Sequence, residues 1–141
     1  MKQFLISCGK QKCGKKVKAA DMYTSPRFKM ALAYARKQTK GDDSRIFVLS
    51  AKHGLLSLDK VIEPYDETLN TKKAAERRDW AQKVLAQLAK VTNTEKDVFI
   101  FLTGKKYNEY LLPALKYELS LQGKNQGKTM QWLKEQLAAG A

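Results

Sequence analysis

Three residues of this sequence are equipped for proton transfer or covalent chemistry: Lys10, His53 and Asp59. His53 is the only histidine, and an imidazole with a pKa near neutrality suits general acid–base work. It sits in the turn Ser50-Ala51-Lys52-His53-Gly54, directly after the apolar run at residues 46–49. Asp59 follows six residues later as a second acid or base. Lys10 leaves another apolar run through the turn Ser7-Cys8-Gly9. A lysine desolvated among other cations loses basicity and can attack a sugar C1′ or a carbonyl. Its competing role is a phosphate clamp. A plain surface turn is the bland reading of both stretches, but long loops inside small domains often carry function.

Charge names the partner these groups would meet. The chain carries 27 Lys and Arg against 14 Asp and Glu, a formal net charge of +13. Such an excess favours a polyanion, DNA or RNA, through counterion release at phosphates. The candidate contacts are Lys12, Lys15, Lys16 and Lys18 after the first run, Lys52 beside His53, and Lys105, Lys106, Lys124 and Lys128 further on. Tyr65, next to Pro64, offers a ring on which a base could stack. Ser7, Cys8, Ser50, Gly54 and Thr103 complete the set as turn and strand-end residues. Four residues separate Cys8 from Cys13, which is not the spacing of a zinc knuckle or a redox dithiol, so neither a metal nor another cofactor is expected.

Elements must hold these residues in place. Residues 3–7, 45–50 and 97–102 are short β-branched and aromatic runs that read as buried strands. Ser25 and Pro26 mark a helix start, and Phe28, Ala31, Leu32 and Ala35 continue it to about Gln38. A second helix is expected after Thr71, a third over residues 107–117 with a kink at Pro113, and a last one over residues 129–138. Strands alternating with helices predict a single α/β domain over residues 1–141, with a small, mostly parallel sheet flanked by helices. Three strand ends would then gather Lys10, His53 and Lys105 on one rim. No apolar run approaches a membrane span, and a cytoplasmic location is expected. Gly123 to Thr129 looks like a phosphate-binding P-loop, but only three residues separate its glycines where four are needed, and no buried strand precedes it.

The motifs Ile6-Ser7-Cys8-Gly9 followed by Lys10 and Lys12, and Leu49-Ser50-Ala51-Lys52-His53-Gly54-Leu55-Leu56 followed by Asp59, Ile62 and Pro64-Tyr65-Asp66, resemble a small bacterial and phage family of unknown function. More remotely, they are similar to the peroxide-stress YaaA family. That resemblance implies a compact α/β fold and DNA binding. Cys8 stands where YaaA proteins have proline, and His53 where they have tyrosine, so neither is a shared functional group. Lys10, Gly54, Asp59, Pro64 and Tyr65 match. A fainter likeness reaches archaeosine synthases, which act on a base in tRNA. Together these imply a nucleic-acid-binding protein acting on a base or nucleotide, as a glycosylase or base-modifying enzyme. The alternatives are a non-catalytic DNA-binding accessory protein of a phage or stress response, and an enzyme of free nucleotides.

Overall fold

The three apolar runs lie side by side at the centre of one sheet. A computed structural model describes residues 1–9, 11–121 and 126–139. Strand β1 (Lys2–Ser7) is flanked by β3 (Ile46–Ser50) and β6 (Val98–Leu102), both parallel to it. Their side chains are buried on both faces, which is why the runs are nearly continuous in apolar residues instead of alternating. The edges are β4 (Gly54–Ser57), antiparallel to β3, and β7 (Lys116–Leu119), parallel to β6. The order is β4-β3-β1-β6-β7, so the expected α/β domain with a mostly parallel sheet is the one observed. A separate ribbon pairs β2 (Val17–Lys18) with β5 (Val61–Ile62) and ties the first loop to the segment beyond β4.

Helices cover the sheet. The four-residue α1 (Ala19–Met22) precedes α2 (Pro26–Gln38), which starts at the expected residues: Ser25 Oγ accepts the Phe28 amide and Pro26 opens the first turn. Phe28, Ala31, Leu32 and Ala35 are its buried face. Helix α3 (Ala74–Val91) inserts Trp80, Ala81, Val84 and Leu88 into the core. The C-terminal helix α5 (Gln126–Ala138) packs along α2. The chain leaves β1 toward β3 by one crossover and returns past β1 to β6 by another. With right-handed crossovers, α2 and α3 occupy opposite faces.

Two expectations fail for physical reasons. The helix expected over residues 107–117 is a single turn, α4 (Lys105–Asn108), then a 3₁₀ turn at Leu112–Ala114 and strand β7. Pro113 cannot donate its nitrogen to a helix, and the chain turns there into an extended edge strand. The stretch after His53, expected to be irregular, returns at once as β4. Gly54 makes this reversal at φ +74, where a Cβ would collide with the side-chain oxygen of Gln87. Gln87 itself, on α3, clamps the hairpin by accepting the Leu55 amide and donating to the His53 carbonyl.

At the opposite end of the sheet, Asp97 is buried and accepts from the Asn93 amide and the Gln3 side chain, both at 3.0 Å, beside the N-terminal ammonium. Burial raises this carboxyl, but the hydrogen bonds and the ammonium outweigh it and hold Asp97 below its ordinary 3.8. A depressed carboxylate contributes stability above its unfolded value, lost as pH falls through the folded one. Asp97→Asn is therefore expected to flatten the loss of stability below about pH 4, read from urea midpoints across that range.

Candidate functional site

The rim formed by the carboxyl ends of β1, β3 and β6 carries most of the polar residues buried in the sheet. Ser7, Ser50 and Thr103 end or follow these strands and are all buried. Beside β1 the two crossovers depart in opposite directions, and an open α/β sheet leaves a crevice at such a point. A cleft of about 710 Å³ opens there. Its floor is Ser7, Cys8 and Gly9 from the β1 exit and Tyr107 from α4. One wall holds the start of α2, Ser25 to Arg27; the other is the segment carrying Asp66, Glu67 and Thr68, and Lys12, which also lines the cleft, reaches over the Tyr65 ring.

Tyr107 fastens the floor to that second wall. Its hydroxyl accepts the Leu69 amide at 3.3 Å, lies 3.4 Å from Thr68 Oγ1, and accepts from Cys8 Sγ at 3.4 Å. Burial, and then the neighbouring Cys8, push the phenol well above its usual range. Tyr107 is thus a neutral hydroxyl at physiological pH, a hydrogen-bonding group and not a base. Trp80 stands edge-on to it, with ring centres 5.9 Å apart, and donates its indole N–H to the Ser50 carbonyl at 2.8 Å.

A second network lies beside the cleft. The His53 amide donates to Ser50 Oγ at 3.0 Å, Ser50 Oγ donates to the Tyr65 hydroxyl at 2.8 Å, and Tyr65 meets the Tyr23 hydroxyl at 2.6 Å. Burial raises both phenols, so both remain protonated. The His53 ring stands edge-on to Tyr65, 5.4 Å between centres, while Lys12 Nζ lies 4.7 Å over the other ring contact of Tyr65, its π face. Burial, with Lys52 and Lys83 nearby, lowers the His53 pKa against the opposing pull of Glu67. The imidazole is therefore neutral at pH 7. Tyr65 pins the segment Glu63 to Thr68 against the sheet, because its hydroxyl is the one group there bonded to both Ser50 and Tyr23. Tyr65→Phe and Ser50→Ala should each cost about 1–2 kcal/mol and couple by more than about 0.5 kcal/mol in a double-mutant cycle. Additive losses in urea unfolding would show that the hydroxyl pair is not coupled.

The residues expected to act together fall into separate groups. Ser7, Cys8 and Lys12 line the cleft, while Ser50, His53 and Tyr65 form the network beside it and Gly54 turns the chain away from it. Asp59 does not join them. Strand β4 runs back antiparallel to β3, and Asp59 lies past its far end, accepting from Ser57 Oγ at 2.9 Å. It lines a different cavity, of about 610 Å³, with Lys18. At roughly 3.4 Å per residue, β4 carries it more than 10 Å from the His53 turn. His53 and Asp59, each expected as an acid or base, therefore stand at opposite ends of the β3–β4 hairpin. Thr103 accepts from Asn108 Nδ2 at 3.0 Å, a bond that stabilises α4. Lys105 is exposed, and Lys106 donates to the Asn70 carbonyl at 3.0 Å. Lys15, Lys16, Lys52 and Lys128 are exposed. Lys10 and Lys124 lie outside the described residues.

Sequence reasoning did not single out Tyr107, Tyr23, Arg27 or Glu67, and met Asp66 only as part of the Pro64-Tyr65-Asp66 motif. The available signal for Tyr107 was its place four residues after the Thr103 strand end. Among the described residues, no group of three or more His, Cys, Asp or Glu is placed to hold a metal ion, and no helix is long and apolar enough to cross a membrane.

The chain belongs to a family of unknown function, DUF6884, whose model matches residues 4–135. No curated protein matches it. The likeness to YaaA proteins rests on the sequence motifs alone.

Proposed function

We propose that this member of a family without an established function binds nucleic acid and takes one nucleotide unit into the rim cleft, where it acts on the base or its glycosidic bond. The observation that carries the reading is the cleft itself: about 710 Å³ at the strand carboxyl edge, lined by Lys12 and Arg27 as well as by Asp66 and Glu67. That volume falls in the range of small-ligand sites, roughly 300–1,000 Å³. A nucleotide is anionic at one end and rich in hydrogen-bonding groups at the other, which matches a lining that carries both signs of charge. The net charge of +13 supports attraction of the polymer.

In the catalytic form of this reading, a water adds to the sugar C1′ as the glycosidic bond breaks. The departing base keeps the bonding pair and takes up the proton the water releases, and a carboxylate of Asp66 or Glu67 stabilises the positive charge developing on the sugar. Neutral Tyr107 donates a hydrogen bond to the ligand. Lys10 enters as nucleophile or phosphate clamp on the strength of the sequence alone. His53 supports the Tyr65 network instead of touching the ligand. The non-catalytic reading, a DNA-binding accessory protein, uses the same charge without the chemistry.

Mass spectrometry of defined DNA, RNA and nucleotide pools after incubation with the protein separates the two. A released or altered base supports the enzyme; unchanged pools with retained binding support the accessory protein. Affinity for duplex DNA should fall with salt at a log–log slope of roughly −0.9 per phosphate contact. Absence of binding to any nucleic acid or nucleotide at low salt removes both readings.

A further inference from the structure

We propose that the exposed edge strand β7 pairs antiparallel with β7 of a second copy of this chain, about a twofold axis at Tyr117. The two five-stranded sheets then join into one. The sheet's edges differ in what covers them. On β4 the Leu55 amide is held by Gln87, and just beyond it the Leu58 and Lys60 carbonyls accept the Ala20 and Ala19 amides. On β7, Lys116, Tyr117 and Glu118 are all exposed, Tyr117 by 46%. The ladder decides which backbone groups of β7 face outward. The Val98 amide donates to the Met1 carbonyl, so Val98 and Ile100 direct their backbone groups toward β1, and Phe99 and Phe101 toward β7. Phe99 stands opposite Tyr117 and therefore bonds to Lys116 and Glu118 on either side of it. The N–H and C=O groups of Tyr117 and Leu119 point away from the sheet, and none of the described residues pairs with them.

The side chains select both partner and register. In antiparallel pairing, outward-facing residues must meet outward-facing ones, so the twofold falls on a residue of β7 and not between two. On Lys116 it would set lysine against lysine, and on Glu118 carboxylate against carboxylate. On Tyr117 it sets Lys116 against Glu118 in both directions, while the two Tyr117 residues exchange their N–H and C=O groups. Each Leu119 amide then meets the other copy's Leu115 carbonyl; Leu115 is extended, and its own amide is already held by Leu112. A short, charged edge strand is usually a guard against such pairing, because a lone lysine repels its own symmetry mate. Here the alternating signs repel in the neighbouring registers and attract in one. A second copy is thus the occupant that the strand itself complements. The net charge of +13 on each copy opposes association at low salt, and screening over about 10 Å at 0.1 M relieves it. The pairing is independent of what the cleft binds.

Sedimentation equilibrium of the full chain at about 0.15 M salt should show a monomer–dimer equilibrium. Lys116→Glu and Glu118→Lys should each weaken it about tenfold, since each turns attractive cross-strand pairs into repulsive ones. Mixing the two variants should restore dimers, as should both changes in one chain, because lysine again faces glutamate. Tyr117→Pro should abolish the dimer, since it removes an outward N–H that the sheet itself does not use. Hydrogen exchange of the unaltered chain adds a readout that no folding defect imitates: the Tyr117 and Leu119 amides should exchange more slowly as chain concentration rises. A monomer at every concentration overturns the proposal, whether the edge stays bare or lies under another part of the same chain. A dimer that the charge changes do not weaken, or that leaves the Tyr117 and Leu119 amides unprotected, uses another surface and overturns it too.

Discussion

Trp80→Ala is expected to cost about 3–5 kcal/mol of stability, the largest effect of any single change at the site. The indole is 9% exposed, stacks edge-on against Tyr107 and donates to the Ser50 carbonyl. Truncation leaves a cavity between α3 and the rim and removes one support from each of the two hydroxyl networks. A loss of that size is a large fraction of the 5–15 kcal/mol typical of a domain. Trp80→Phe separates the contributions: it keeps most of the ring volume and loses the N–H donor, for about 1–3 kcal/mol. Urea unfolding reads both. Equal losses in the two variants would place the whole effect in the hydrogen bond and none in packing.

Tyr107→Phe should have the largest effect on ligand affinity, weakening nucleotide binding about tenfold or more, because the substitution removes a hydroxyl at the cleft floor. It also leaves the Leu69 amide, on a residue 1% exposed, without an acceptor. The accompanying stability loss is about 1–3 kcal/mol. Hydrogen exchange localises it: the Leu69 amide should exchange faster, by about a factor of ten for each 1.4 kcal/mol of local stability lost. Unchanged exchange at Leu69 would show that Tyr107 does not hold the Asp66–Thr68 wall.

Much of the sheet was legible because burial on both faces writes itself into composition. Residues 4–6, 46–49 and 98–102 are apolar throughout, and all three runs are central strands. The start of α2 was legible from Ser25 and Pro26, whose chemistry is local. The edge strands were not. Strand β7 reads Lys-Tyr-Glu-Leu and is largely exposed, so nothing in its side chains distinguishes it from a helix surface; its pairing with β6 is a tertiary fact. The same limit governs the site. Gathering of Ser7, Ser50 and Thr103 on one rim follows from parallel strands and could be read ahead. The separation of Asp59 from His53 could not, because six residues in sequence say nothing of a hairpin reversal between them. Tyr107 escaped notice because its role depends on Cys8 and Leu69, 99 and 38 positions away in the chain.

The central claim is that a nucleotide unit enters the rim cleft, and amide chemical-shift mapping tests it most directly. The protein, labelled with ¹⁵N, is titrated with a single-stranded decamer and with mononucleotides at low salt. The amides of Ser7, Cys8, Gly9, Lys12, Arg27, Glu67 and Tyr107 should shift together and saturate at one affinity. Shifts confined to exposed lysines such as Lys15, Lys16 and Lys52, with the cleft amides unmoved, would contradict it.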